Sequence, residues 1–260
     1  MITPDIASLY PLLCHYFWPM LRILALFMAS PVFNEKQINR KLKIGMAMLI
    51  SLLIAPGLPD SGVSIFSLEG VLVSLQQLII GVAIGLTMQL AFVTVRTAGE
   101  IIGLQMGLSF ATFFDPSGGQ NMPVIARILN LLVTLLFLTL NGHLWLLNVL
   151  VDSFNTLPIS PSLPGSNGFF YFAQSAGIIF RSGLMLGLPI VTLLLCLNLT
   201  LGLINRLTPQ LSIFVIGFPL TLTVGMFALS MMMYSLAPYF ENLLAQLLDQ
   251  AVRMLAIMGG

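Results

Sequence analysis

Long apolar runs separated by short polar connections dominate the chain, and six of them read as helices at membrane depth. They extend from Leu12 to Phe33, Ile44 to Pro56, Leu68 to Val95, Val124 to Val151, Phe170 to Leu203 and Leu211 to Leu236, the last followed by an amphipathic tail to Met258. A bilayer core of about 30 Å calls for about 20 apolar residues in a helix. By that measure the second run is thin for a span and reads equally as a re-entrant or partly buried helix. The fifth is long enough to be two helices broken near Pro189. Turn-forming residues cluster at Pro56 to Gly62, Pro116 to Gly119 and Pro158 to Gly168, as connections between helices require. The last of these is the expected boundary between two halves of the chain.

Charge sorts the connections into two sets. Lys36, Arg40, Lys41 and Lys43 with Glu35 lie between the first and second runs, Arg96 and Arg127 flank the connection after the third, and Arg206 follows the fifth. The opposite connections hold Asp5, Asp60, Asp152, Glu241 and Asp249, with Arg253 the basic exception. Lys and Arg concentrate in cytoplasmic loops, so the basic set is expected to face the cytoplasm and both termini the other side. The opening MITPDIASLY has neither the basic stretch nor the cleavage site of a signal peptide, so the first run is expected to stay in the mature protein.

Composition narrows the function. Of 260 residues 58% are hydrophobic and only 7% charged, with a net charge of +1. A soluble domain carries about 25% charged residues, so lipid or partner protein must cover this surface. The neutral balance argues against nucleic acid as a partner. Cys14 and Cys196 lie in apolar runs and read as packing residues. His15 and His143 are far apart, with no Cys, Asp or Glu at ligand spacing, and no phosphate-binding or nucleophile motif is present. Neither a catalytic residue nor a metal or cofactor is expected. A secondary transporter of small molecules buries a carboxylate within a span, whereas Glu69 and Glu100 stand at run edges. An intramembrane enzyme would need a nucleophile and a base, and no such pair is visible.

Two features within the runs depart from plain hydrophobicity. Arg22 and Arg181 sit inside apolar segments, where a central Arg costs about 2.5 to 3.5 kcal/mol. Each either snorkels to a helix end or meets another subunit or a water-filled lumen. Glycines recur four residues apart at Gly81 and Gly85, at Gly99, Gly103 and Gly107, and at Gly183 and Gly187. That spacing places them on one helix face and lets backbones approach. Tight helix packing is the reading, against the plain abundance of Gly in membrane helices.

The stretch GEIIGLQMGLSFATFFDPSGGQNMP, from Gly99 to Pro123, is the least ordinary. It mixes Met106, Phe110, Phe113, Phe114 and Met122 with Gly107, Pro116, Gly118 and Gly119. Apolar side chains on such a connection must be buried in protein or line a cavity, and Phe and Met at a constriction can close a path by dewetting. An ordinary packed loop is the alternative. The second methionine cluster, Met231 to Met233, reads as lipid-facing or core packing.

Four segments carry a resemblance. ASPVFNEKQINRKLKIG (Ala29 to Gly45) resembles the first cytoplasmic loop of the FliR family of flagellar type III export proteins, with Asn39 where that family's pattern has a Pro. GEIIGLQMGLSFATFFDPSGG (Gly99 to Gly119) is the most specific match. FLTLNGHLWLLNVLVDSFNTLPI (Phe137 to Ile159) resembles the family's fourth helix and outer loop, and NRLTPQLSIFVIGFPL (Asn205 to Leu220) its NR–PQ turn. Together they cover nearly the whole chain in order.

The resemblance implies an all-α integral membrane protein of helical hairpins, with a FliP-like part over residues 1–165 and a FliQ-like hairpin over 166–260. It implies one copy of the chain in a helical complex with FliP-like and FliQ-like subunits, in the inner membrane at the flagellar basal body. An FlhB-like protein would associate with its cytoplasmic mouth and an FlhA-like protein surround it. The complex would be an export gate for unfolded flagellar proteins. Residues 106–122 would form a pore plug, with Met106, Phe110, Phe113, Phe114 and Met122 as gating groups and Gly118 and Gly119 giving mobility. The family's hydrophobic helices form hairpins packed against partners, largely lifted out of the membrane plane, so six runs need not be six spans. The equivalent subunit of a virulence injectisome would share this architecture, and the segment Asn141 to Phe154 favours the flagellum.

Overall fold

The computed structural model describes residues 6–35, 37–108, 123–208 and 213–259, with side chains from Tyr10 in the first helix and from Ile216 in the last. Among the described residues the ordered elements are helices: α1 (Ile6–Ala29), α2 (Arg40–Ile54), a 3-10 turn (Ala55–Gly57), α3 (Leu68–Gln105), α4 (Val124–Thr139), α5 (Gly142–Thr156), α6 (Ser166–Ser175), α7 (Gly177–Leu207) and α8 (Ile213–Gly259). Four stretches are long and apolar enough to cross a bilayer: Tyr10–Ala29, Leu68–Gln105, Ser166–Leu207 and Ile216–Gly259. The broken pair α4 and α5 makes a fifth if counted as one. The chain is an all-α membrane protein.

The helix boundaries differ from the six apolar runs at three places. The run from Val124 to Val151 is two helices, broken where Asn141 takes φ 56°. Asn tolerates the left-handed region better than most residues, and Gly142 follows it directly. The fifth run breaks at Ala176, between α6 and α7, while Pro189 lies inside the continuous α7. A proline costs less in a membrane helix, where neighbouring groups satisfy the carbonyl it frees. The second run forms the 15-residue α2, too short to span at 1.5 Å per residue. Asn39, the departure from the family's pattern, is its N-cap, accepting a hydrogen bond from the Lys41 backbone N–H at 3.1 Å.

The chain divides into two compact units that interleave along the sequence. Unit 1 holds residues 1–89, 141–176 and 244–260, and unit 2 holds 90–140 and 177–243. α3 and α8 each contribute residues to both units.

In unit 1, α1 and α2 form an antiparallel hairpin. Lys43, Ala47 and Ser51 are the buried stripe of α2, and the Ser51 hydroxyl donates to the Tyr16 carbonyl at 2.6 Å. The first half of α3 lies parallel to α1. A methyl at Gly85 would fall 2.7 Å from the Ala29 Cβ, and one at Gly81 would strike the Arg22 carbonyl oxygen. These two glycines therefore set the α1–α3 spacing. Trp18, Val63 and Val73 form a buried cluster beside them. The end of α8 closes the unit, its Met258 packing on Gly168 and accepting a backbone hydrogen bond from Gly165 at 3.0 Å.

In unit 2, the second half of α3 is the centre. α7 runs along it, with Gly183 facing the Thr94 carbonyl and Gly187 facing Ala98. α4 packs antiparallel to it, with Gly99 against Ala126. Phe92 makes edge-to-face contacts with Phe137 and Phe240 at 5.4 and 5.8 Å between centroids. The Tyr239 hydroxyl donates to the Ser182 carbonyl at 2.6 Å, joining α8 to α7.

Candidate functional site

The glycines at 99, 103 and 107 do three different things. Gly99 is a close-approach point: a methyl there would stand 2.6 Å from the Ala126 Cα. Gly103 receives Pro123, the residue that caps α4, at 3.0 Å from where its Cβ would be. Gly107 lies beyond the end of α3 with φ 78°. Its N–H bonds to the Leu104 carbonyl and the Leu108 N–H to the Gly103 carbonyl, both at 3.0 Å. This is a Schellman helix end, which needs a left-handed residue that Gly adopts without strain. Gly107 thus stops α3, and the four-residue spacing does not by itself separate a packing glycine from a stop.

Met106 is fully buried. Its side chain lies against Gly225 of α8, where a Cβ would come within 2.8 Å of it. Phe218 packs beside Gly107 at 3.3 Å from the same kind of position. Both borders of the phenylalanine-bearing segment are therefore fixed in unit 2, Leu108 by the helix stop and Pro123 on Gly103. Phe110, Phe113, Phe114, Gly118, Gly119 and Met122 lie outside the described residues. Nearby, Ile125, Ile128 and Leu129 of α4 with Met226, Leu229, Ser230 and Met233 of α8 line an apolar groove of about 200 Å³. Met233 therefore packs within the unit, whereas Met231 is exposed.

Residues 13–247 match the family model for bacterial export proteins, family 1. The chain belongs to this family. Its FliR relatives are similar along almost their whole length. The flagellar biosynthetic protein FliR of Pectobacterium carotovorum subsp. carotovorum is 56% identical over 90% of each chain. That of Escherichia coli (strain K12) is 55% identical over 90% of each. The FliR of Buchnera aphidicola subsp. Acyrthosiphon pisum is 44% identical over 97% of this chain and 96% of its own.

The polar residues of this export-family chain are arranged for packing. His15 Nδ1 meets Asp60 at 2.6 Å and its Nε2 meets the Ala55 carbonyl at 2.7 Å. These two contacts pin the 3-10 turn and the connection after it to α1. Among the described residues no group of His, Cys, Asp or Glu is placed to hold a metal. Arg96 with Glu100 and Arg253 with Asp249 are exposed pairs one helical turn apart, of the kind that adds little stability.

Sequence reasoning missed the most polar site in unit 1. Arg22 neither snorkels nor faces a lumen: it is fully buried in its own chain. Its Nε donates to Gln77 Oε1 at 2.7 Å, one terminal nitrogen to Ser153 Oγ at 2.9 Å, and the other to the Leu157 carbonyl at 2.8 Å. The guanidinium also stacks 4.1 Å above the Phe154 ring. Gln77 Nε2 in turn donates to Gln76 Oε1 at 2.8 Å. The signal was available in the sequence: adjacent glutamines, Gln76 and Gln77, in the middle of an apolar run, where polar side chains need internal partners. Arg181, by contrast, is exposed on α7.

Proposed function

We propose that this chain is a core subunit of the flagellar protein export gate. In the bacterial inner membrane at the flagellar basal body, it builds with FliP-like and FliQ-like subunits a helical channel for unfolded flagellar proteins. The identity of 55 to 56% to proteins named flagellar biosynthetic protein FliR, over 90% of each chain, carries the reading. The unequal burial of its helices supports a subunit role. The most apolar stretch of α3 is 67% buried within the chain, but that of Ser166–Leu207 is 22% and that of Ile216–Gly259 is 28%. Apolar faces that large need lipid or neighbours to cover them.

Residues 1–165 are the FliP-like part and 166–260 the FliQ-like hairpin. One copy completes the assembly, with FlhB-like and FlhA-like proteins at its cytoplasmic side. Residues 106–122 act as the plug. Phe110, Phe113 and Phe114 keep the closed lumen dry, and an entering polypeptide displaces them. The work asked of this chain is steric and involves no bond-making step. The anchoring of Met106 against Gly225 and of Pro123 against Gly103 supports a plug with two fixed ends.

A tagged copy produced with its FliP-like and FliQ-like partners is expected to purify as one complex. A strain lacking the gene is expected to lose swimming and to stop secreting hook and filament proteins, and the intact gene to restore both. Continued secretion without the gene, or purification of the chain alone as a stable lipid-embedded monomer, would overturn the reading.

A further inference from the structure

Arg22 poses a problem that the rest of α1 does not. It lies within the apolar stretch Tyr10–Ala29, closer to the Ala29 end. Side chains on a helix lean toward its N-terminus, so the guanidinium is aimed toward the middle of that apolar stretch. Arg stays charged in proteins, and no carboxylate lies within ion-pairing distance of it among the described residues. Among the described residues its charge is held by neutral acceptors. One, Gln77, comes 55 residues later in the chain, and the other two, Ser153 and the Leu157 carbonyl, come 131 and 135 residues later. The Phe154 ring beneath it belongs to the same late segment.

We infer that Arg22 is a completion latch: it makes the seating of α1 depend on α5 and the turn that follows. Until the chain through Leu157 has folded back, α1 carries a buried charge with Gln77 as its sole structural acceptor. It is then poorly held at membrane depth. When Ser153, Phe154 and Leu157 arrive, each guanidinium nitrogen has an acceptor, and α1 is fixed against α3 by the contacts at Gly81 and Gly85. An apolar residue in place of Arg22 would seat α1 without the late segment. The charge thus ties the first helix to the correctness of residues far along the chain, and the inference does not depend on what the assembled protein transports.

The chain contains its own reporter. Cys14, on α1, is 7% exposed, while Cys196 is exposed and can be removed by Cys196→Ser. In full-length protein in native membranes, Cys14 is expected to react slowly with a water-soluble maleimide. Ser153→Ala and Gln77→Leu should each speed that reaction about tenfold or more, by raising the population in which α1 is unseated. Arg22→Met should leave it slow. Adding Ser153→Ala to Arg22→Met should then change little, because the hydroxyl no longer has a charge to hold. The double-variant comparison decides. If Ser153→Ala accelerates labelling equally with Arg22 present and with Met in its place, Ser153 merely packs and the latch is refuted. If Arg22→Met alone exposes Cys14, the arginine stabilises α1 outright and conditionality is refuted.

Discussion

Gly81→Val is expected to prevent the chain from accumulating as a folded membrane protein and with it to abolish swimming. A methyl at this position already strikes the Arg22 carbonyl and comes 2.7 Å from the Ala25 Cβ and 3.1 Å from the Leu26 nitrogen. Two of those atoms are backbone inside a helix, so no rotamer change relieves the contact; α1 must move off α3. Overpacking a core usually costs about 1 to 3 kcal/mol. Here the cost is expected at or above the top of that range, because the displacement also pulls the Arg22 guanidinium from Gln77, one turn earlier on the same face of α3. Gly81→Ala should show a weaker form of the same defect. Gly45→Ala and Gly202→Ala, both with open space at the Cβ position, should leave the level of folded protein unchanged or slightly raised, since Ala costs less entropy than Gly in a helix. Quantifying membrane-inserted, protease-resistant protein for the four variants checks the ranking. Equal effects at Gly81 and Gly202 would mean that the α1–α3 contact does not limit stability.

Gly81 and Gly85 were legible as packing glycines because one physical cause, close approach of two helix backbones, leaves a four-residue period in the sequence. Gly107 was not, because a helix stop produces the same letter at the same spacing; only its φ of 78° and the paired hydrogen bonds distinguish it. The break at Asn141 had a readable sign in the Asn-Gly pair, a turn signal overridden by the apolar residues on both sides. The length of α2 was readable as too short. The fate of Arg22 was readable only in part, through Gln76 and Gln77 in an apolar run. Its acceptors come from two distant parts of the chain, and one is a backbone carbonyl that carries no sequence signature at all. Hydropathy identified the helices because burial in lipid and burial in protein demand the same side chains. For that reason it could not show that α3 is covered mostly by this chain while Ser166–Leu207 and Ile216–Gly259 are left to be covered by something else.

Deleting Phe110 to Gly119 is expected to make the assembled gate leak ions and small dyes while leaving the complex intact. The two borders of the segment lie close together: Leu108 donates to the Gly103 carbonyl at 3.0 Å, and Pro123 rests on the same Gly103. After the deletion Ser109, Gln120, Asn121 and Met122 still join them, with a reach of about 14 Å at about 3.5 Å per residue. The closure therefore need not unwind α3 or α4, and Met106 keeps its seat on Gly225. A leak would then report the loss of apolar side chains from the lumen rather than a damaged fold, which recovery of the complex at normal yield would confirm. Water is excluded from a constriction by several apolar groups acting together, so Phe113→Ala alone should leak less than the deletion, with Phe110 and Phe114 still in place. Conductance of the purified complex in planar bilayers separates the cases: a tight membrane after the deletion would place the seal elsewhere, and equal leaks from the deletion and from Phe113→Ala would assign it to a single ring.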